Sequence, residues 1–196
     1  MQTLNVNELF YSLQGEGYRA GQPSIFVRLA GCDLTCGFCD TEFESGVALT
    51  PLELHLRIKD MAPRCNWIVW TGGEPALQLT DAHVDFFKCQ GYQQAIETNG
   101  NHPMPGGLDW IACSPKVAEH VVKKNHPAGV DELRYVRHAN QFGIPEPLVE
   151  ANEYYLSPMF DGDKPNAENL THCINLCLKN PKWNLSIQSH KLISIL

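Results

Sequence analysis

The chain has 196 residues, of which 43% are hydrophobic and 19% charged, so it can bury one sizeable core and does not read as disordered. Its net charge of −7, with only 15 Lys and Arg and no basic run, argues against a phosphate-neutralising surface, and no apolar stretch reaches membrane-spanning length. A small-molecule substrate is therefore expected, with neither nucleic acid nor membrane as a partner; eight cysteines without a signal-like N-terminus fit a reducing, cytoplasmic compartment.

In chain order, Ser12-Leu13-Gln14-Gly15-Glu16-Gly17 sets an amide and a carboxylate between glycines, which can approach a heterocycle and read its donors and acceptors; alone, it also fits a surface turn. Residues 24–30 form an apolar run of strand length, interrupted by Arg28. A buried arginine must be paired, and either an internal carboxylate or an anionic substrate would serve. The run ends at Gly31, where Cys32, Cys36 and Cys39 follow with spacing Cys-x3-Cys-x2-Cys. Three converging thiolates suit a four-iron cluster with one open iron, whereas a structural zinc needs four ligands. The alternatives are a zinc module with Cys65 as a distant fourth ligand, or three unrelated thiols.

Thr50, Pro51 and Glu53 form a capping-box pattern that opens a helix ending before Pro63. Residues 67–70 are a strand running into Thr71-Gly72-Gly73-Glu74-Pro75, where adjacent glycines expose backbone groups and Glu74 can accept from an ammonium. A helix over 82–89 closes at Gly91; strands follow at 94–97, 109–113, 132–136 and 154–156, then a helix capped by Asn166 and stopped by Pro181, and a last strand at 183–187. Most of these strands finish in polar or glycine-rich clusters, as expected when the C-terminal edges of parallel strands build one active face. The fold class expected is α/β, an open partial (β/α) barrel of about six mostly parallel strands with reduced helices, as a single domain over 1–196. Cys65, Cys89, Cys113, Cys173 and Cys177 read as ordinary buried thiols, and the histidines other than His190 mostly as surface residues.

The cysteine loop together with Gly72-Gly73-Glu74-Pro75 resembles the radical S-adenosylmethionine superfamily. Within it, Ser12 to Gly17, Phe26-Val27-Arg28-Leu29, Cys39-Asp40-Thr41, Ser114-Pro115-Lys116 and Gln188-Ser189-His190-Lys191 are similar, end to end, to the 7-carboxy-7-deazaguanine synthase family. Ser157 stands where many relatives carry glutamine, and the tail Ile193-Ser194-Ile195-Leu196 lacks the glycine and final residue expected of the family. The resemblance implies a carbon-nitrogen lyase of queuosine-type biosynthesis, converting 6-carboxy-5,6,7,8-tetrahydropterin into 7-carboxy-7-deazaguanine plus ammonia. A 5′-deoxyadenosyl radical, made by reductive cleavage of S-adenosylmethionine, would start the ring contraction.

The same resemblance implies the site. Cys32, Cys36 and Cys39 would hold a 4Fe-4S cluster, and Thr41 would bind Mg²⁺. S-adenosylmethionine would meet Phe38, Asp40, Gly73, Glu74, Thr98, Ser114, Lys116, Ser157, Pro158, Met159 and Phe160. The pterin would meet Leu13, Gln14, Gly15, Glu16, Arg28, Thr71, His190 and Leu196. A flavodoxin-like or other electron donor and a homodimer are carried over in the same way. Two rival functions are a glycyl-radical enzyme activase and a non-enzymatic zinc-binding module.

Overall fold

A computed structural model describes residues 2–37 and 42–195. In chain order it contains β1 (Leu4–Leu13), β2 (Pro23–Leu29), β3 (Val47–Leu49), α1 (Pro51–Met61), β4 (Trp67–Gly72), a 3-10 turn (Pro75–Leu77), α2 (Asp81–Cys89), β5 (Gln93–Thr98) and β6 (Trp110–Cys113). There follow α3 (Glu119–Asn125), β7 (Val130–Arg137), β8 (Ala151–Pro158), the hairpin β9 (Phe160–Asp161) and β10 (Lys164–Pro165), α4 (Ala167–Lys179), β11 (Asn184–Leu185) and α5 (Ser189–Leu192).

Nine strands form one sheet in the order β11-β8-β7-β6-β5-β4-β2-β1-β3. From β2 to β11 every neighbouring pair is parallel, while β1 pairs antiparallel with both β2 and β3. The fold is thus mixed α/β with a large, mostly parallel sheet and few helices: the crossovers from β5 to β6 and from β7 to β8 carry none. The expectation of about six strands is corrected to nine. The difference includes β1, whose apolar alternation is broken by a register shift between Val6 and Glu8, so that it does not read with a period of two. β3 is a three-residue edge strand. α3 and α5 were also not foreseen; they have 7 and 4 residues, too short for a helical period to register.

The two sheet faces have different compositions. Ile25, Val27, Leu29, Ile68, Trp70 and Ile96 point to the side carrying α1 and α2, in a core with Leu54, Ile58, Val84 and Phe87. Alternate residues Phe26, Val69 and Ala95, in register with Trp110, form an apolar layer on the other side. One step further along the same face Arg28 pairs with Thr71, and Glu97 with Ala112 and, beyond it, Glu132. On β2 and β5 this charge stands near the C-terminal ends of the strands.

The expected caps are present. Thr50 Oγ1 accepts from the Glu53 amide at 3.2 Å while Glu53 accepts from the Thr50 amide at 2.8 Å, and Asn166 Oδ1 accepts from the amides of Glu168 and Asn169, both at 3.0 Å. Two residue-class expectations are corrected. Cys89 is exposed, because α2 turns it outward at its last position. His55, His83 and His126 are buried rather than superficial; His83 reaches Thr80 Oγ1 at 2.9 Å and the Gln2 carbonyl at 2.8 Å, which satisfies both ring nitrogens.

Candidate active site

Two adjoining cavities open at the C-terminal ends of the parallel strands. The first, about 310 Å³, is lined by Cys32 and Cys36 from the loop after β2, Gly72 and Gly73 after β4, Thr98 at the end of β5, Ser114 and Lys116 after β6, and Ser157, Pro158, Met159 and Phe160 at the end of β8. Cys39, with Phe38, Asp40 and Thr41, lies outside the described residues. Cys32 and Cys36 are free, half-buried thiols. Burial pushes the Cys32 thiol up, a hydrogen bond from the Leu34 amide opposes this, and the Asp33 and Glu74 carboxylates add to the rise. Two free soft ligands on one cavity wall fit the chemistry of an iron-sulfur centre. Among the described residues, no set of three or more His, Cys, Asp and Glu gathers into a metal site.

The two sequence motifs are docked directly onto each other. The Glu74 amide donates to the Gly31 carbonyl at 2.9 Å, and the Gly73 amide to the Leu29 carbonyl at 3.1 Å. A Cβ on residue 73 would stand 2.0 Å from the Gly31 oxygen, so only glycine permits this approach. The cysteine loop is tied on its other side by Asp33, which accepts from Asn101 Nδ2 at 2.6 Å, His102 Nε2 at 2.8 Å and Asn99 Nδ2 at 3.3 Å. Burial would raise the Asp33 carboxyl, but these donors outweigh it and leave it below the ordinary carboxylate range.

Glu74 itself does not face the cavity. It is fully buried, and its carboxylate accepts from the Asn99 amide at 2.7 Å, Thr98 Oγ1 at 3.0 Å and the Ala76 amide at 3.1 Å. Burial raises its pKa against those donors. Its role visible here is to fix Thr98 and Asn99 on the cavity rim, while the glycines before it form the wall. Lys116 Nζ donates to the Ser114 carbonyl at 2.8 Å and Oγ at 2.6 Å, and burial pulls its pKa down. Ser157 is 3% exposed, and its hydroxyl has no hydrogen-bond partner among the described residues. An unsatisfied hydroxyl on a cavity wall marks a position where a bound polar group would be accommodated.

The second cavity, about 940 Å³, shares Glu16, Thr71, Glu97, Arg134, Gln188 and Lys191 with the first. It adds Leu13, Gln14, Gly15, Arg28 and His190, and so gathers the expected pterin residues that are described. Leu196 lies outside the described residues. Arg28 Nε donates to Glu8 Oε2 at 3.0 Å, and its guanidinium stands 5.7 Å from the centre of the Phe10 ring, which stacks on Phe26. The carboxylate that pairs with Arg28 is thus an exposed one rather than internal, and Arg28 also lines the cavity. His190 is held there by α5, whose Ser189 donates through both amide and hydroxyl to the Gly15 carbonyl, at 3.0 and 2.8 Å.

Sequence reasoning passed over the group between the cavities. Arg134 of β7 is 7% exposed and is surrounded by Glu16, Glu97 and Glu132. Burial works against the charged guanidinium, yet the three carboxylates more than compensate and raise its pKa. Burial first, then repulsion from Glu132 and Glu16, pushes the Glu97 carboxyl up to about 7 in spite of Arg134. The available signal was the alternation in β7, where Glu132 and Arg134 occupy the same face two residues apart, with buried Leu133 between them. Asn99 and Gln188 also line the first cavity; neither was among the expected ligand contacts, although Gln188 belongs to a motif that carries the family resemblance.

No family model matches the chain. It is 38% identical over 190 residues to 7-carboxy-7-deazaguanine synthase of Bacteroides thetaiotaomicron, covering 97% of each chain. It is also 38% identical over 213 residues to the enzyme of that name from Bradyrhizobium diazoefficiens, covering 97% of this chain and 98% of the relative. The crystal structure of QueE from Escherichia coli superposes with a TM-score of 0.75 at 24% identity, over 96% of this chain and 95% of that one.

Proposed function

The chain belongs to the 7-carboxy-7-deazaguanine synthase family, and from that premise we propose that its two cavities hold the radical source and the substrate on either side of one wall. The protein is a radical S-adenosylmethionine enzyme of queuosine-type biosynthesis, with a lyase reaction that yields 7-carboxy-7-deazaguanine. Its substrate is 6-carboxy-5,6,7,8-tetrahydropterin, and ammonia leaves. The observation that carries this division of labour is the shared wall of Glu16, Thr71, Glu97 and Arg134: a hydrogen-abstracting group and its target must lie in van der Waals contact, and these cavities adjoin.

Cys32 and Cys36 of the first cavity, together with Cys39, would hold the iron-sulfur cluster, and Gly73, Thr98, Ser114, Lys116 and Ser157 to Phe160 would receive S-adenosylmethionine. When bound, these cofactors supply the one-electron chemistry, and the protein supplies orientation and charge. In the second cavity Arg28 offers a planar fork to the substrate carboxylate, while Gln14 and Glu16 take the ring amide and amino groups. His190, Ser194 and Ile195 line the same cavity, and Leu196 is proposed as a further pterin contact. Thr41 takes Mg²⁺, a hard cation that a hydroxyl, waters and substrate oxygens would satisfy. Loss of magnesium-dependent turnover in Thr41→Ala, with cluster content intact, tests that ligand.

The homodimer and the flavodoxin-like electron donor rest on family resemblance, whereas the open partial barrel, residues 1–196 as one domain and the cytoplasmic setting are proposed from the pattern of strands and composition. Among the described residues no helix is long and apolar enough to cross a membrane. The decisive experiment is anaerobic reconstitution followed by metal and sulfide analysis and assay with the carboxypterin. Iron, sulfide and deazaguanine product are expected. Zinc without iron, or an intact cluster that cleaves S-adenosylmethionine only in the presence of a protein substrate, would overturn the proposal in favour of the zinc module or the activase.

A further inference from the structure

Arg134 is joined to the segment 14–18 by three separate routes. Its Nε donates to Oε2 of Glu16, a member of that segment, at 3.2 Å. Its Nη2 donates to Glu97 Oε2, and the other oxygen of Glu97 accepts from Gln14 Nε2 at 3.0 Å. Its Nη1 donates to Glu132 Oε1 at 2.7 Å, and Glu132 Oε2 accepts from the Tyr18 amide at 2.9 Å. The segment crosses Glu132 so closely that a Cβ on residue 17, where φ is +68°, would stand 2.0 Å from Glu132 Oε1.

Gathering one guanidinium and three carboxylates is a poor way to obtain stability. Desolvating these ions costs more than filling the space with apolar side chains of equal volume, and a buried ionic cluster is better explained by the geometry it fixes. Here that geometry is specific: each donor edge of a planar fork ends on a different residue of the segment carrying Gln14 and Glu16. The backbone of the segment is also held by Ser186 Oγ accepting from the Gly17 amide at 2.9 Å and by Ser189 on the Gly15 carbonyl. Arg134, with Gln188 donating to Glu16 Oε1 at 2.9 Å, sets the directions of the Gln14 and Glu16 side chains.

We infer that Arg134 is a positioning residue for substrate recognition: it aims Glu16 directly and Gln14 through Glu97 into the second cavity, and through Glu132 it anchors the Tyr18 backbone at the end of their segment. Glu132 is the informative member, because it is 2% exposed and lines neither cavity, so it can influence substrate binding only through this linkage. The inference takes the identity of the substrate from the function proposed above; the positioning itself does not depend on it.

The test is Glu132→Gln in the full-length, reconstituted protein. Glutamine keeps the volume, but its NH2 group replaces one of the two oxygens, so either Arg134 Nη1 or the Tyr18 amide then faces a donor instead of an acceptor. The Tyr18 amide should then exchange its hydrogen about tenfold faster, and KM for the carboxypterin should rise about tenfold, with kcat and S-adenosylmethionine affinity changing less than about twofold. Arg134→Lys, which keeps the charge and loses the fork, should move KM in the same direction. A folded Glu132→Gln protein with unchanged Tyr18 exchange and unchanged KM overturns the inference, as does an equal loss of affinity for both ligands. If the variant does not fold, the wild type decides: a Tyr18 amide that exchanges as freely as one in an open loop removes the linkage. Should the wild type not turn over the carboxypterin, the functional proposal falls, while Tyr18 exchange still judges the positioning.

Discussion

Asp33 Oδ2 accepts a hydrogen bond from Asn101 Nδ2 at 2.6 Å, tying the loop that carries Cys32 and Cys36 to the segment after β5. Charge-assisted hydrogen bonds of this kind contribute about 1.5–3 kcal/mol. Asn101→Ala should therefore leave the fold intact and loosen the cysteine loop. Iron release to a chelator from the reconstituted protein should accelerate by at least about tenfold, at tenfold per about 1.4 kcal/mol of a weakened clasp. Release at the wild-type rate would show that the clasp does not hold the loop.

Replacing Cys32, Cys36 or Cys39 by alanine should abolish cofactor cleavage and lower iron content. Cys173→Ala should preserve both, because Cys173 is buried in a separate core with Leu133, Val149 and Leu156, away from the cavities. Its cost is a small internal void, about 1 kcal/mol of stability. Iron analysis, cleavage of S-adenosylmethionine to 5′-deoxyadenosine and thermal melting separate the two classes.

Arg28→Lys should keep the pairing with Glu8 and lose the planar fork offered to the second cavity. The expected result is a rise of about tenfold in KM for the carboxypterin with little change in binding of S-adenosylmethionine. Isothermal titration with each ligand would reveal the split; parallel weakening of both would place Arg28 in a structural role.

Stability should fall as pH rises through the neutral range, and Glu97 should be a cause. Its carboxyl moves from an ordinary value of 4.5 to about 7 in the folded protein. Between those values the folded state binds more protons than the unfolded state, so the slope of unfolding free energy against pH is negative there. The contribution is fully present below about 4.5 and lost above about 7. Glu97→Gln should flatten this part of the profile and melt higher than wild type at pH 8 relative to pH 5. Denaturant titrations across that range check the sign; an unaltered profile in the variant would assign the dependence elsewhere.

The sequence by itself determined the chemistry and most of the parallel strands, because both are encoded locally. The spacing of Cys32, Cys36 and Cys39 offers three candidate ligands within eight residues, and Gly73 has to be glycine at a turn that follows a strand. Strands such as β2 and β4, buried on both faces, declare themselves as continuous apolar runs, and Thr50 with Glu53 declares a helix start. The tertiary structure alone decided what depends on distant partners. Glu74 looks like an open acceptor in sequence, yet Thr98 and Asn99 occupy it, 24 and 25 positions away. Glu132 and Arg134 look like alternate residues of an ordinary strand until the sheet turns them toward Glu97 and Glu16. Local pattern reports which face a side chain takes, but the ionisation and orientation of a buried charge are set by the groups that other strands bring against it.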